Sequence, residues 1–349
     1  MARAPGRVNL IGEHTDYNSG LVLPVAIDLA SYAASAPNRD GVLRVYSENV
    51  KQARQWPIDQ IGLLRPSGDW TDYVIGIARQ LQLGRGRDLL IHSTVPLGSG
   101  LSSSAALEVS TALALGWSGD LPSLELTKLC RRAENEFIGL PSGIMDQYVS
   151  VFGRKNAAIL IDCQTLASEP VELPGDVAMV AVNSMVKHAL AQSAYAQRVA
   201  ECAEAACEIG SLRDATLDSV ELIHDPIILR RARHVVTENR RVIDFVAACR
   251  RGDLAEMGSL LVASHRSLQH DYEVSCDELD FLVDTALAIP GTFGARMIGG
   301  GFGGCTLNLL DPAAVEHFTA VVGDAYQARF GIEPAFYLVR PAEGASRLT

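Results

Sequence analysis

The stretch VPLGSGLSSSAALEV, residues 95–109, constrains this chain more than any other. DLLIHSTVPLG reads as a strand closed by Pro96, and a helix opens near Ser103, so glycines and serines fill a strand-to-helix turn. Gly98 and Gly100 let the backbone come close to a ligand with successive N–H groups turned inward. Ser102, Ser103 and Ser104 add hydroxyl donors at the helix N-terminus, where the dipole favours an anion. Gly98, Ser99, Gly100, Leu101, Ser102, Ser103 and Ser104 thus have the build of a phosphate cradle. It is not a Walker A loop, because GxxxxGK[ST] is absent and no lysine lies between residues 52 and 127. A dinucleotide fingerprint would need glycine where Ser103 stands. Taken alone, the loop also fits a plain turn that caps a helix.

The chain has 349 residues, which at ~150 per domain predicts two domains. A net charge of −11 argues against general affinity for nucleic acid, whose phosphates demand basic surface. It leaves room for an anionic small ligand held by a few local donors. Lysine gives little help, since there are four, at 51, 128, 155 and 187. No apolar run approaches the ~20 residues needed to span a bilayer, and MARAPGRVNL lacks the apolar core of a signal peptide. The seven cysteines show no CxxC pair and the histidines no HExxH. Free thiols, no structural zinc and a cytoplasmic location are expected.

The first 170 residues alternate strand-like and helix-like stretches. Residues 21–34 are aliphatic, VLRVYSE alternates as a strand, and Tyr73, Ile77 and Leu81 form a helical stripe. A helix over 124–137 and a strand at AAILIDC follow. From about residue 173 the pattern changes to the strand VAMVAVNS, then helices over 189–208, 227–249, 254–268 and 276–288. The strand CTLNLL, a helix over 312–330 and the strand FYLVRP close the chain. The expected fold is α+β in two domains, 1–172 and 173–349, with antiparallel or mixed sheets.

Three further stretches carry chemistry. APGRVNLIGEHTDYNSG gathers Arg7, Glu13, His14, Asp16 and Tyr17; it could be a charged surface loop, but two carboxylates and an imidazole also suit a grip on vicinal hydroxyls. GLPSGIMDQ sets Asp146 in an apolar context after a turn, as a helix-capping aspartate or a reactive one. GARMIGGGFGGC has the glycine density of a close backbone approach.

Together, GRVNLIGEHTDYN, PLGSGLSSSAALE, GIMDQ and GGGFGG resemble the GHMP small-molecule kinases, and within them the galactokinases. The likeness continues through YAQRVAEC, RRARHVVTENRR and SHRSLQHDYEVSCDELD, covering essentially the whole chain from Ala4. It implies the two-domain GHMP kinase fold with an active site between the domains. It also implies ATP-dependent phosphorylation of the anomeric hydroxyl of α-D-galactose, the first phosphorylation in galactose catabolism. By resemblance, Glu13, His14, Thr15, Asp16, Gly143 and Tyr195 bind the sugar. The loop from Gly98 to Ser104, with Ser47 near the base, binds ATP, and Ser104 with Glu134 binds Mg2+. Asp146 and Arg7 are the implied catalytic pair, and the protein is expected to be a monomer. A kinase for N-acetylgalactosamine or arabinose, and a non-catalytic galactose and ATP sensor, are the alternatives. A sensor would be expected to lose a loop serine, Arg7 or Asp146, and this chain keeps all of them.

Overall fold

The computed structural model describes residues 1–187 and 191–348. Its strands are β1 (Ala2–Asn9), β2 (Leu21–Val22), β3 (Pro24–Pro37), β4 (Val42–Ser47), β5 (Gln52–Pro57), β6 (Arg87–Ser93), β7 (Ala157–Asp162), β8 (Ser168–Glu172), β9 (Ala178–Lys187), β10 (Thr292–Ile298), β11 (Gly303–Leu310), β12 (Ala335–Val339) and β13 (Ser346–Arg347). The helices are α1 (Thr71–Gln80), α2 (Ser103–Leu115), α3 (Leu124–Arg132), α4 (Met145–Phe152), α5 (Ala191–Ile209), α6 (Leu217–Val220), α7 (Pro226–Arg251), α8 (Leu254–His270), α9 (Asp277–Leu287) and α10 (Val315–Phe330).

One sheet has the order β13-β1-β3-β6-β4-β5, a second β10-β11-β9-β12 and a third β2-β7-β8. Among the described residues all strand pairs run antiparallel except β4 with β6, so the architecture is α+β with mixed sheets. Strand β13 returns from the far end of the chain to pair with β1 through Ala2↔Arg347 and Arg3↔Ser346.

Most elements fall where the apolar periods place them, and the departures have local causes. The opening charged stretch does not lie exposed on the surface: up to Asn9 it is the buried strand β1, between β13 and β3, and beyond Asn9 it is a buried to half-buried loop that carries Glu13, His14 and Asp16. Pro5 lacks an N–H, and the β1–β3 register shifts between Pro5 and Arg7. The helix expected over 124–137 stays α-helical to Arg132 and then widens into a π-helical turn, Ala133–Ile138, that carries Glu134. Its start is fixed by Ser123, which accepts from the Leu126 N–H. Strands β5, β8 and β10 are additional to those expected from the pattern. The start expected at Ala189 for the alanine-rich helix lies outside the described residues.

The two parts of the chain share one apolar cluster. Val8, Leu10 and Ile11 pack with Val242 and Phe245 of α7 and with Leu307 and Leu309 of β11, all essentially buried. Burying such a side chain contributes about 1.5–3 kcal/mol each. This cluster fixes α7 beneath the segment that follows β1, and the candidate site is built on that contact.

Candidate active site

The chain leaves β6 and turns through residues 94–102 into α2. Positive φ angles at Gly98 (70°) and Gly100 (82°) make the turn. Ser102 also sits in the left-handed region, with φ 57° and ψ 46°, a cost that a non-glycine residue meets only when its surroundings hold it there. Its hydroxyl donates to Asp146 Oδ2. The hydroxyls of Ser103 and Ser104, in the first turn of α2, make no side-chain hydrogen bond to the described residues and are free for a ligand. The second glycine loop backs this turn: a Cβ on Gly299 would lie 3.4 Å from the Gly100 carbonyl.

Arg7 projects from β1 and Asp146 from the first turn of α4. Nε and Nη2 of the guanidinium donate to Oδ1 and Oδ2 at 2.8 and 2.9 Å, a two-pronged pair. Nη1 donates to the Gly100 carbonyl at 2.5 Å, tying the pair to the loop. Burial works against the Arg7 charge, but Asp146, Glu13 and Asp16 outweigh it and raise its pKa.

The segment after β1 supplies the other polar groups. Glu13 accepts from the Asn9 amide and from the Gly299 N–H, with Arg296 Nη2 at 3.3 Å. His14 has φ 61° and is buried; its Nδ1 lies 2.8 Å from the Tyr17 hydroxyl, while Nε2 is buried with no hydrogen-bond partner. Burial, then the charges of Arg198 and Arg296 and the neighbouring His234, hold its pKa near 3, so the ring is neutral. The Thr15 hydroxyl is spent on the loop itself, on the carbonyls of Gly12 and Leu21. Asp16 is pushed up to about 6 by burial and by the carboxylates of Asp146 and Glu13. Its carboxylate rests on Gly143, where an added Cβ would fall 1.8 Å from Oδ2, so residue 143 must lack a side chain. The Tyr195 ring lies 5.5 Å from that of His14 and beside Gly300.

Glu134 forms a separate polar cluster. Its Oε2 accepts from the Ser142 hydroxyl and from the Gln147 amide at 3.1 Å, and burial raises its pKa to about 7. The same amide donates to Glu108 at 3.0 Å. Glu108 lies one helical turn after Ser104 on α2, fully buried, with Oε1 unpartnered and its pKa well above the carboxylate range because of burial. Ser47 ends β4, beside Ile91 of the parallel strand β6, at the sheet end from which the phosphate loop departs.

Sequence reasoning missed the residues that hold this frame. Glu108 and Gln147 stand inside the quoted motifs, and a helical count of four from Ser104 would have found Glu108. Glu238 on α7 accepts from the N–H groups of Gly12 and Glu13, while His234 Nε2 meets the Glu13 carbonyl and Asn239 receives the Leu21 N–H. Burial opposes the Glu238 charge, but Arg241, His234 and Arg296 prevail, and its pKa falls far below normal. Those partners are more than 200 residues from the segment they hold, so no local pattern announces them.

The sequence matches the family described as GHMP kinases N terminal domain over residues 72–154 and GHMP kinases C terminal over 245–328. Residues 1–37 match the galactokinase galactose-binding signature. It is 45% identical to the galactokinase of Chloroflexus aurantiacus, over 95% of this chain and 89% of that one. Identity to the galactokinase of Homo sapiens is 44%, over 99% of this chain and 91% of the relative. A crystal structure of Lactococcus lactis galactokinase complexed with galactose superposes with a TM-score of 0.94 at 38% identity, covering 99% of this chain and 94% of that one. A mevalonate kinase at 18% identity and a TM-score of 0.71 shares the fold. The chain belongs to the galactokinase family of GHMP kinases.

Proposed function

We propose that this protein transfers the γ-phosphoryl group of ATP to the anomeric hydroxyl of α-D-galactose. The observation that carries the reading is the two-pronged Arg7–Asp146 pair, joined to the glycine–serine turn through Gly100 and Ser102 and facing the segment of Glu13, His14 and Asp16. Phosphoryl transfer needs positioned oxygens and charge stabilisation more than covalent chemistry. Asp146 orients the anomeric hydroxyl, and Arg7 supplies positive charge beside the phosphoryl path. Glu13, His14, Asp16 and Tyr195 hold the sugar, Gly143 leaves room for the Asp16 carboxylate, and Thr15 braces the loop. The turn from Gly98 through Ser99, Gly100, Leu101, Ser102 and Ser103 to Ser104 receives the ATP phosphates, and Ser47 lies towards the base.

No cluster of three or more His, Cys, Asp or Glu side chains is placed to hold a metal among the described residues. Magnesium fits the remaining donors nonetheless. It keeps several waters and leans on nucleotide phosphates, so the free Ser104 hydroxyl and the Glu134 carboxylate are sufficient protein ligands. When bound, it offsets phosphate charge. No described helix is long and apolar enough to cross a membrane. We further propose that the protein is a monomer in the cytoplasm. We also divide the chain into units 1–172 and 173–349. The test is coupled ADP release by the purified protein against a panel of monosaccharides, with and without magnesium. Turnover confined to galactose supports the reading; turnover of another sugar, or binding without turnover, overturns it.

A further inference from the structure

We propose that Cys202, Tyr272 and Tyr17 form a hydrogen-bonded relay that fixes His14 with its proton on Nε2, making this residue a donor to a sugar oxygen. The inference rests on the sugar-kinase reading above and goes on to say what holds the donor in place. Tyr17 Oη lies 2.8 Å from His14 Nδ1 and 2.8 Å from Tyr272 Oη, which lies 3.0 Å from Cys202 Sγ. Four side chains drawn from the first loop, α5 and the turn after α8 thus make one continuous line ending at a ring nitrogen. The other ring nitrogen, Nε2, is buried and has no hydrogen-bond partner, although a buried polar atom without one is costly.

The line can run in two directions, and the donor chemistry selects one. A phenol is a stronger hydrogen-bond donor than a neutral imidazole, and a ring nitrogen is a stronger acceptor than a phenol oxygen. Tyr17 therefore donates to Nδ1, Tyr272 donates to Tyr17, and the thiol of Cys202 donates to Tyr272. Each hydroxyl then gives one hydrogen and receives one, an arrangement in which successive bonds strengthen one another. Burial keeps the thiol protonated, with its pKa pushed up to about 11, so its hydrogen is available. With Nδ1 occupied as an acceptor and the ring neutral, the one ring proton is on Nε2. The ring cannot readily turn over: its centroid lies 4.8 Å from that of Tyr272, 5.5 Å from Tyr195 and 5.8 Å from Tyr17. Tyr17, Tyr272 and Cys202 act through His14 and are positioning residues.

The experiment is 15N NMR of the full chain labelled at histidine, read together with galactose kinetics. The wild-type protein is expected to show His14 Nδ1 unprotonated and Nε2 protonated. Tyr17→Phe keeps the ring volume and removes the hydroxyl that donates to Nδ1. It should mix the two tautomers and raise the galactose KM about tenfold, the worth of one hydrogen bond, while kcat and the KM for ATP change far less. Tyr272→Phe and Cys202→Ala leave the Tyr17 hydroxyl in place and should shift the same signals and KM in the same direction by less, and Cys202→Ser, which restores a donor, should return wild-type signals and KM. A proton on Nδ1 in the wild type overturns the proposal, as does a Tyr17→Phe protein with unchanged signals and KM. A wild-type spectrum with the Nε2 proton but no turnover of galactose would uphold the relay and overturn the sugar-kinase reading instead.

Discussion

Asp146→Asn keeps the outline of the side chain and removes one charge from a pair whose other member is nearly enclosed. The carboxylate now accepts two parallel bonds, at 2.8 and 2.9 Å, and a third from Ser102. Asparagine offers a single acceptor oxygen and turns its NH2 group towards another donor, so at least one bond is lost. The Asp146 side chain is 28% exposed, so water absorbs part of that loss, and Glu13 and Asp16 still compensate the guanidinium. The cost to the fold is therefore about 1–3 kcal/mol, survivable against a typical total of roughly 5–15. The chemical step suffers more, because removing one preorganised electrostatic group lowers kcat by about 10²–10³. Arg7→Leu removes the other half of the fork and the Gly100 contact, and a loss in the same range is expected. Each partner orients the other, so the double variant should fall within about threefold of the worse single variant, whereas independent groups would multiply to ~10⁴–10⁶. Steady-state ADP release at saturating galactose and ATP measures all three, with circular dichroism melts confirming the fold. A folded Asp146→Asn protein with near-wild-type kcat would return Asp146 to a helix-capping role, and losses that multiply would refute the pair.

Gly143→Ala must displace the Asp16 carboxylate, which a Cβ would approach to 1.8 Å, so the galactose KM should rise about tenfold or more with the KM for ATP little changed; an unaltered galactose KM contradicts this. With Glu134 held near 7, a proton competes with magnesium below neutrality. Apparent magnesium affinity should fall about tenfold per pH unit there and level off above, and Glu134→Gln should flatten the profile in a magnesium titration of activity. Folded Glu108 keeps its proton well above the range in which the unfolded chain releases it. The folded state then binds more protons between those limits, and stability declines as pH rises through neutral. Glu108→Gln should make the decline of Tm from acid to alkaline pH shallower, and parallel curves would dismiss the reasoning. Glucose lacks the axial 4-hydroxyl and would leave site groups unpaired, so discrimination on the order of 10⁴ is expected in kcat/KM; comparable turnover of the two sugars sinks that assignment.

The sequence made legible whatever is local. The glycine–serine turn, the α2 start near Ser103 and the helices α7 and α8 follow from apolar period and from the glycines and serines of the turn. The contact of Asp146 with Arg7 spans 139 positions, and spacing alone could not reveal it; the family likeness did. Strand β1 was hidden by Pro5 and by the charges of Arg3 and Arg7, which read as a loop because burial of a paired arginine leaves no mark in hydropathy. Strand β10 was masked by the glycine run that follows it. Glu238 looks like one more exposed carboxylate in a basic helix, and its complete burial follows from the docking of α7 onto the segment after β1.

That docking also sets an order of events during synthesis. Gly12 is made 226 residues before the Glu238 that receives its N–H. At ~5–20 residues per second, a ribosome leaves the segment of Glu13 and His14 without its anchor for roughly 10–45 s. Leu10 and Ile11, which end up under Val242 and Phe245, wait equally long without cover. The pocket is thus among the last parts of the molecule to take shape, and a nascent chain halted before α7 carries the whole signature without a place for the sugar.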